Sequence, residues 1–316
     1  MGGLNFTRQL ILAKLEATVG VDANPTAAAD AIIVRDATYA IEVQQLERPI
    51  LLGDLSNTPT RPGRKTVTIT FVAEVKGSGE QGVAPKFGTL LLGCGYAETE
   101  LAADAGFEYE PVSSAFPSLT IYLYIDGILH KGLGCRGSYA IAATAGEYAL
   151  ATFTFQGVYV EPVDALIPTG AVYEDSLPPI VQNAGLTVNG YADCAQQFTI
   201  DGANTINPIL CVNANEGVSG YNISARNVTG SFNPQASLLG PLGANNPFKK
   251  LASGEVGAFE VTIGNEPNNI CEITGQVQHT GVSPGNRDGA LIWDIPFRFV
   301  RNQGDDEIKF SFPQAA

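Results

Sequence analysis

ALATFTFQGVYV, residues 149–160, has a near echo in ALIWDIPFRFV, residues 290–300. Both open on Ala-Leu, and each lies near the end of one half of the chain. With a one-residue slip after that opening, Phe153 and Phe155 fall on Ile295 and Phe297. Large apolar residues alternate with others in both stretches, the pattern of a half-buried β-strand. A closing strand written twice predicts a domain written twice.

The echo extends upstream in a common order. RPIL at 48–51 resembles NPIL at 207–210, and YAIE at 39–42, before the first, resembles FTID at 198–201, before the second. Next come VTITFVAEV at 67–75 and VTGSF at 228–232, then FGTLLL at 87–92 and FKKL at 248–251. Residues 119–125 then correspond to 259–263, and Cys135 to Cys271.

The chain has 316 residues, 45% of them hydrophobic and 16% charged, which gives enough apolar material for two packed domains and little sign of disorder. Gly and Pro are plentiful, and Val, Ile, Thr, Phe and Tyr recur in short runs, which predicts an all-β chain with many turns. Net charge is −14, shared equally by residues 1–165 and 166–316. That balance argues against tight nucleic-acid binding and suits a surface that repels polyanions. Five cysteines with no CxxC pair predict buried free thiols rather than a disulfide framework or zinc site. The opening MGGLNFTRQL holds no apolar stretch of signal-peptide length, and no run in the sequence is long enough for a membrane-spanning helix.

Residues 1–30 read as an N-terminal arm, with Leu10, Ile11, Leu12 and Leu15 forming one or two helical turns or lying on a neighbour. Residues 52–66 read as a long polar loop carrying Arg61, Arg64 and Lys65 on an otherwise acidic chain, either solvated or in contact with an acidic surface of another subunit. In 67–75 Val67, Ile69, Phe71, Ala73 and Val75 share one face. Residues 85–94 predict a short helix stopped by Gly93 and Gly95, followed by an acidic loop with Glu98, Glu100, Asp104, Glu108 and Glu110. Asp126-Gly127 predicts a hairpin turn after the strand 119–125. Residues 211–222 and 233–254 read as loops, 280–289 as the connection within the last hairpin, and 308–312 as a final strand.

Catalytic patterns fail on mechanism. In GVSPG, residues 281–285, the residue after the serine must lend an N–H to an oxyanion hole, and Pro284 has none. The GxGxxG match at Gly77, Gly79 and Gly82 lacks a full crossover helix behind it, so it reads as a glycine-rich turn. The two histidines, His130 and His279, lie in different halves. The expectation is a protein that is not an enzyme and has no catalytic, cofactor-binding or metal site.

ILAKLEATVGVDANPT at 11–26, APKFGTLLLGCG at 84–95, FTFQGVY at 153–159, DIPFR at 294–298 and GDDE at 304–307 resemble stretches of the major tail tube proteins of long-tailed, non-contractile bacteriophages. The resemblance implies all-β structure with minor α: two tandem tail-tube-like β-sandwich or barrel domains, each with one short flanking helix. The expected boundaries are an arm at 1–30, domain 1 at 31–165, a linker at 166–180 and domain 2 at 181–316. Six such domains make a ring in that family. A duplicated chain is therefore expected to form trimeric rings with pseudo-sixfold symmetry, and a chain with one tube domain hexameric ones. Stacked rings would form a conduit for DNA ejection in the virion tail, assembled in the host bacterial cytoplasm. Implied partners are further copies of the chain, tape-measure, tail terminator and baseplate proteins, and double-stranded DNA passing without specific binding. Arg61, Arg64 and Lys65 become candidates for contacts between rings. The alternative is another phage tail or virion β-protein, such as a baseplate hub, terminator or decoration protein.

Overall fold

The computed structural model describes all residues except 1, 2, 52, 55, 103, 104, 193, 240–245, 315 and 316. The described residues are all-β with three short helices. Among the described residues all but two strands join in one network, which does not close on itself, so the barrel form of the expectation gives way to open sheets over a shared core.

In the first half, β1 (Gln9–Leu15), β7 (Leu119–Ile125), β8 (Ile128–Thr144), β9 (Leu150–Asp164), β4 (Arg61–Glu74) and β3 (Val34–Leu46) lie side by side in that order, each antiparallel to its neighbour. In the second half, β10 (Thr187–Val188), β15 (Val256–Ile263), β16 (Cys271–His279), β18 (Ala290–Phe299), β14 (Thr229–Pro234) and β11 (Ala195–Asp201) repeat the scheme. The helix α2 (Lys86–Gly93) follows β4, and α3 (Pro247–Ser253) follows β14. The echoed strands occupy matching places: Phe153 of β9 faces Phe71 of β4, and Ile295 of β18 faces Phe232 of β14.

Alternation decides which face is buried. Val67, Ile69, Phe71 and Ala73 of β4 are fully enclosed, and the threonines between them face away. Phe71, Phe153 and Phe155 stack at centroid distances of 5.8–6.0 Å. Against them lies α2, which buries Phe87, Leu90, Leu91 and Leu92 and ends where the Cys94 amide donates to Leu91 O and the Gly95 amide to Leu92 O. The Asp126-Gly127 turn has φ of 35° and 103°, the doubly left-handed geometry that the Asp-Gly pair favours.

Several expectations change. Residues 9–15 form a strand, not helical turns: Leu10 and Leu12 join one apolar cluster while Ile11 and Ala13 join the main core, so both faces of β1 are covered. A short helix, α1 (Ala27–Asp30), and β2 (Ala31–Ile32) follow. The loop expected at 52–66 ends earlier, because β4 begins at Arg61. The acidic stretch is a hairpin of β5 (Tyr96–Glu100) and β6 (Gly106–Pro111), in which Phe107 and Tyr109 alternate inward and Glu108 and Glu110 face away; Asp104 lies outside the described residues. Residues 280–289 contain β17 (Ser283–Arg287), paired with β18 across a two-residue Asp288-Gly289 turn. The loop at 211–222 is shorter than expected, since β12 (Thr205–Leu210) pairs with β13 (Val218–Ala225). Cys135 and Cys271 are not equivalent: Cys135 faces Leu119 at the far end of its hairpin, and Cys271 is the first strand residue after its own loop.

Candidate assembly surfaces

The two halves are joined by strand pairing as well as by the linker. The end of β8 pairs antiparallel with β11, Ala140 facing Asp201 and Thr144 facing Gln197. The last strand, β19 (Ile308–Pro313), pairs with β16 on one side and with β6 of the first half on the other. Its Phe310 and Phe312 reach the first core, where they meet Phe87, Tyr96, Tyr109 and Tyr139 at 5.6–6.5 Å. A chain segment from the second half thus completes the packing of the first.

Polar groups tie the same joint. Arg136, buried on β8, donates to the carbonyls of Phe116 (2.6 Å) and Pro117 (3.2 Å) and to that of Tyr221 in the second half. Asn204 donates to Cys94 O and Gly137 O at 2.7 and 2.9 Å. Lys76, nearly enclosed, donates to Ser176 O at 2.7 Å, which holds the linker against the first half. Each satisfies a backbone carbonyl that would otherwise be costly to bury.

The basic cluster nominated from sequence sits at the tip of the β3–β4 hairpin. Arg61 faces Leu46 and Lys65 faces Val43 across the ladder. Lys65 Nζ lies 3.5 Å from Glu216 Oε2 and 5.1 Å from the Tyr159 ring centroid, so it contacts the loop after β12 in its own chain. Arg61 is exposed and Arg64 half-buried, and among the described residues neither has an ion-pair partner. The hairpin also exposes Ile41 along β3 and Leu46 at its tip, and Ile50 is exposed in the segment after β3.

The weak catalytic motifs resolve into structure. The Gly77 amide donates to Asn269 Oδ1 at 3.1 Å and the Gly79 amide to Asn268 O at 3.0 Å, so the glycine-rich turn is packed against the β15–β16 loop. His279 is buried against Tyr191 and Phe232, and burial, aided by Lys250, pushes its pKa down to about 4. It makes no hydrogen bond to Ser283 or to any other described residue, so the chain offers no serine–histidine pair there. Burial lowers His130 as well, and its ring lies 4.7 Å from that of Tyr39. Among the described residues no group of His, Cys, Asp and Glu could hold a metal ion, and no helix is long and apolar enough to cross a membrane.

Sequence reasoning did not find the joint. Its residues carry no motif: Arg136, Asn204 and Gln314 act through backbone carbonyls far away in sequence. The family model described as phage tail tube protein matches residues 7–292. No curated protein matches the chain.

Proposed function

Because the chain belongs to the phage tail tube protein family, we propose that its copies assemble into stacked rings that form the tail tube of a long-tailed, non-contractile phage and conduct DNA during ejection. The reading takes the two halves as copies of one unit, which makes a ring of three chains with pseudo-sixfold symmetry. The observation that carries it is the repeated strand order, β1–β7–β8–β9–β4–β3 and β10–β15–β16–β18–β14–β11, with a helix after the fifth strand of each row. A net charge of −14 suits a lumen through which phosphate backbones slide without sticking. Tape-measure, terminator and baseplate proteins are its expected neighbours, and the host cytoplasm its place of assembly.

The test is the rotational symmetry of purified tails or self-assembled tubes by cryo-electron microscopy. Three chains per ring with six similar domains is the expected result. Six chains per ring would keep the tube and remove the duplication as its symmetry device. A chain that forms no ring would redirect the reading to a baseplate hub, terminator or decoration protein.

A further inference from the structure

Two strand edges are left over when the pairings of the two halves are matched, and they correspond to the two edges that meet at the joint. Phe153 and Ile295 are equivalent, and from them the ladders fix the rest. Tyr139 faces Phe153, and Ser283 faces Asp294, next to Ile295; the segment of β8 at 140–144 therefore corresponds to β17. On the other side, Thr38 faces Thr70 and Thr199 faces Ser231, where Thr70 and Ser231 precede the equivalent Phe71 and Phe232. The start of β3 therefore corresponds to β11. Both strands carry a register irregularity close to this point, between Arg35 and Thr38 and between Ala195 and Phe198, one ladder position apart. Among the described residues 140–144 pairs with β11, whereas β17 pairs only with β18 and β3 only with β4.

We propose that β17 of one copy pairs antiparallel with β3 of the next, in the register of the β8–β11 joint: Ser283 opposite Ala40, Gly285 opposite Thr38, and Arg287 opposite Asp36. The inference rests on the tube reading and names the contact that closes its ring. Charge supports the register. Thr144 and Gln197 are the facing pair inside the chain, and the transferred pair is a guanidinium and a carboxylate. Among the described residues Asp36 has no ion-pair partner, and Arg287 reaches only the Asn233 carbonyl at 3.4 Å. An apolar groove runs beside β3, lined by Phe6, Ile32, Ile33, Leu123 and Tyr173. The corresponding groove beside β11 is walled on one side by Ala143, Ala145 and Gly146 of the first half.

The ladder carries one weakness. The Ala145 amide donates to Gln196 O at 2.8 Å, so residues 143 and 141 also turn their backbone groups toward β11. The equivalents are Asn286 and Pro284, and Pro284 has no N–H to give to the Tyr39 carbonyl. A proline on an exposed edge also guards against indiscriminate pairing. The edge is therefore selective, and the Arg287–Asp36 pair supplies the selection.

The test uses the full chain with Cys194 and Cys211 replaced by Ser, carrying A40C and S283C together. Mild oxidation after assembly is expected to give covalent dimers and trimers on a non-reducing gel, with none from either single variant or from A40C with R287C. A second variant, R287E, sets like charges opposite each other and should raise the critical assembly concentration roughly two- to fivefold. Adding D36N to R287E should recover most of that loss, and Asn tolerates the φ of 54° at this position. Tubes that form without the cross-link, or R287E assembling like the parent, would overturn the ladder and leave the tube reading standing. A parent chain that never assembles, as judged by sedimentation and electron microscopy, overturns both.

Discussion

The Gly77 amide donates to Asn269 Oδ1 at 3.1 Å, joining a turn of the first half to a loop of the second. The approach is so close that a Cβ on Gly77 would lie 2.3 Å from the Asn268 carbonyl oxygen and 2.9 Å from Asn269 Cα. Both are backbone atoms, so neither can swing aside. G77A is expected to destabilise the isolated chain by about 1–3 kcal/mol, the usual cost of overpacking. N269A should cost a similar amount by leaving the buried Gly77 amide without its acceptor. Urea unfolding of each variant measures both; a midpoint unchanged in G77A would mean that the two loops do not hold each other.

A second expectation concerns cooperativity. Phe310 belongs to the second half but packs against Phe87, Tyr96 and Tyr139 of the first. F310A should cost about 3–5 kcal/mol, in the range for a fully buried aromatic residue. It should move a single shared unfolding transition rather than split it. Probes on the two halves, read during the same denaturant titration, would expose independent halves as two separate transitions.

The strands and helices were legible because their signals are local. Alternation marked β4, β7 and β9, and the glycines at 93 and 95 marked the end of α2. Two elements were missed although their signals are present. Phe107-Glu108-Tyr109-Glu110 alternates as a strand does, but its high charge read as a loop. Asp288-Gly289 is the same hairpin dipeptide as Asp126-Gly127, yet Ser283, Pro284 and Gly285 before it have poor strand propensity. β17 exists because β18 offers it a ladder. β1 was misread for a different reason: it is covered on both faces, so its apolar run QLILAKL has no clean period. The joint between the halves depends on backbone acceptors, and a sequence does not show which carbonyl a distant side chain will meet.

Acid should weaken the fold through His279. In the unfolded chain this imidazole titrates near the ordinary value of 6.5, and in the folded chain burial holds it neutral down to about 4. Below pH 6.5 the unfolded state binds the proton that the folded state refuses, so stability is full above that pH and falls as pH drops toward 4. The gap corresponds to roughly 3 kcal/mol at its limit. H279F, which keeps a ring against Tyr191 and Phe232, should flatten the slope between pH 6.5 and 4. Thermal unfolding of both proteins across that window measures it; identical slopes would place the acid sensitivity on the carboxylates instead.

The basic residues at the β3–β4 tip divide by their contacts. Lys65 is already engaged with Glu216 and Tyr159, and because the pair is partly exposed, K65A should cost the chain no more than about 1 kcal/mol. Arg61 and Arg64 have no such partner among the described residues and stand beside the exposed Leu46. In the proposed tube, a surface of this kind on an acidic chain is suited to meet an acidic face of the next ring. R61E/R64E should therefore leave the chain folded and its rings closed but shorten or abolish tubes, and raised salt should weaken stacking in the parent by screening the same contact. Electron microscopy distinguishes single rings from tubes. Tubes of normal length from the double variant would remove Arg61 and Arg64 from the stacking contact and leave the exposed Ile41, Leu46 and Ile50 as the surface to test next.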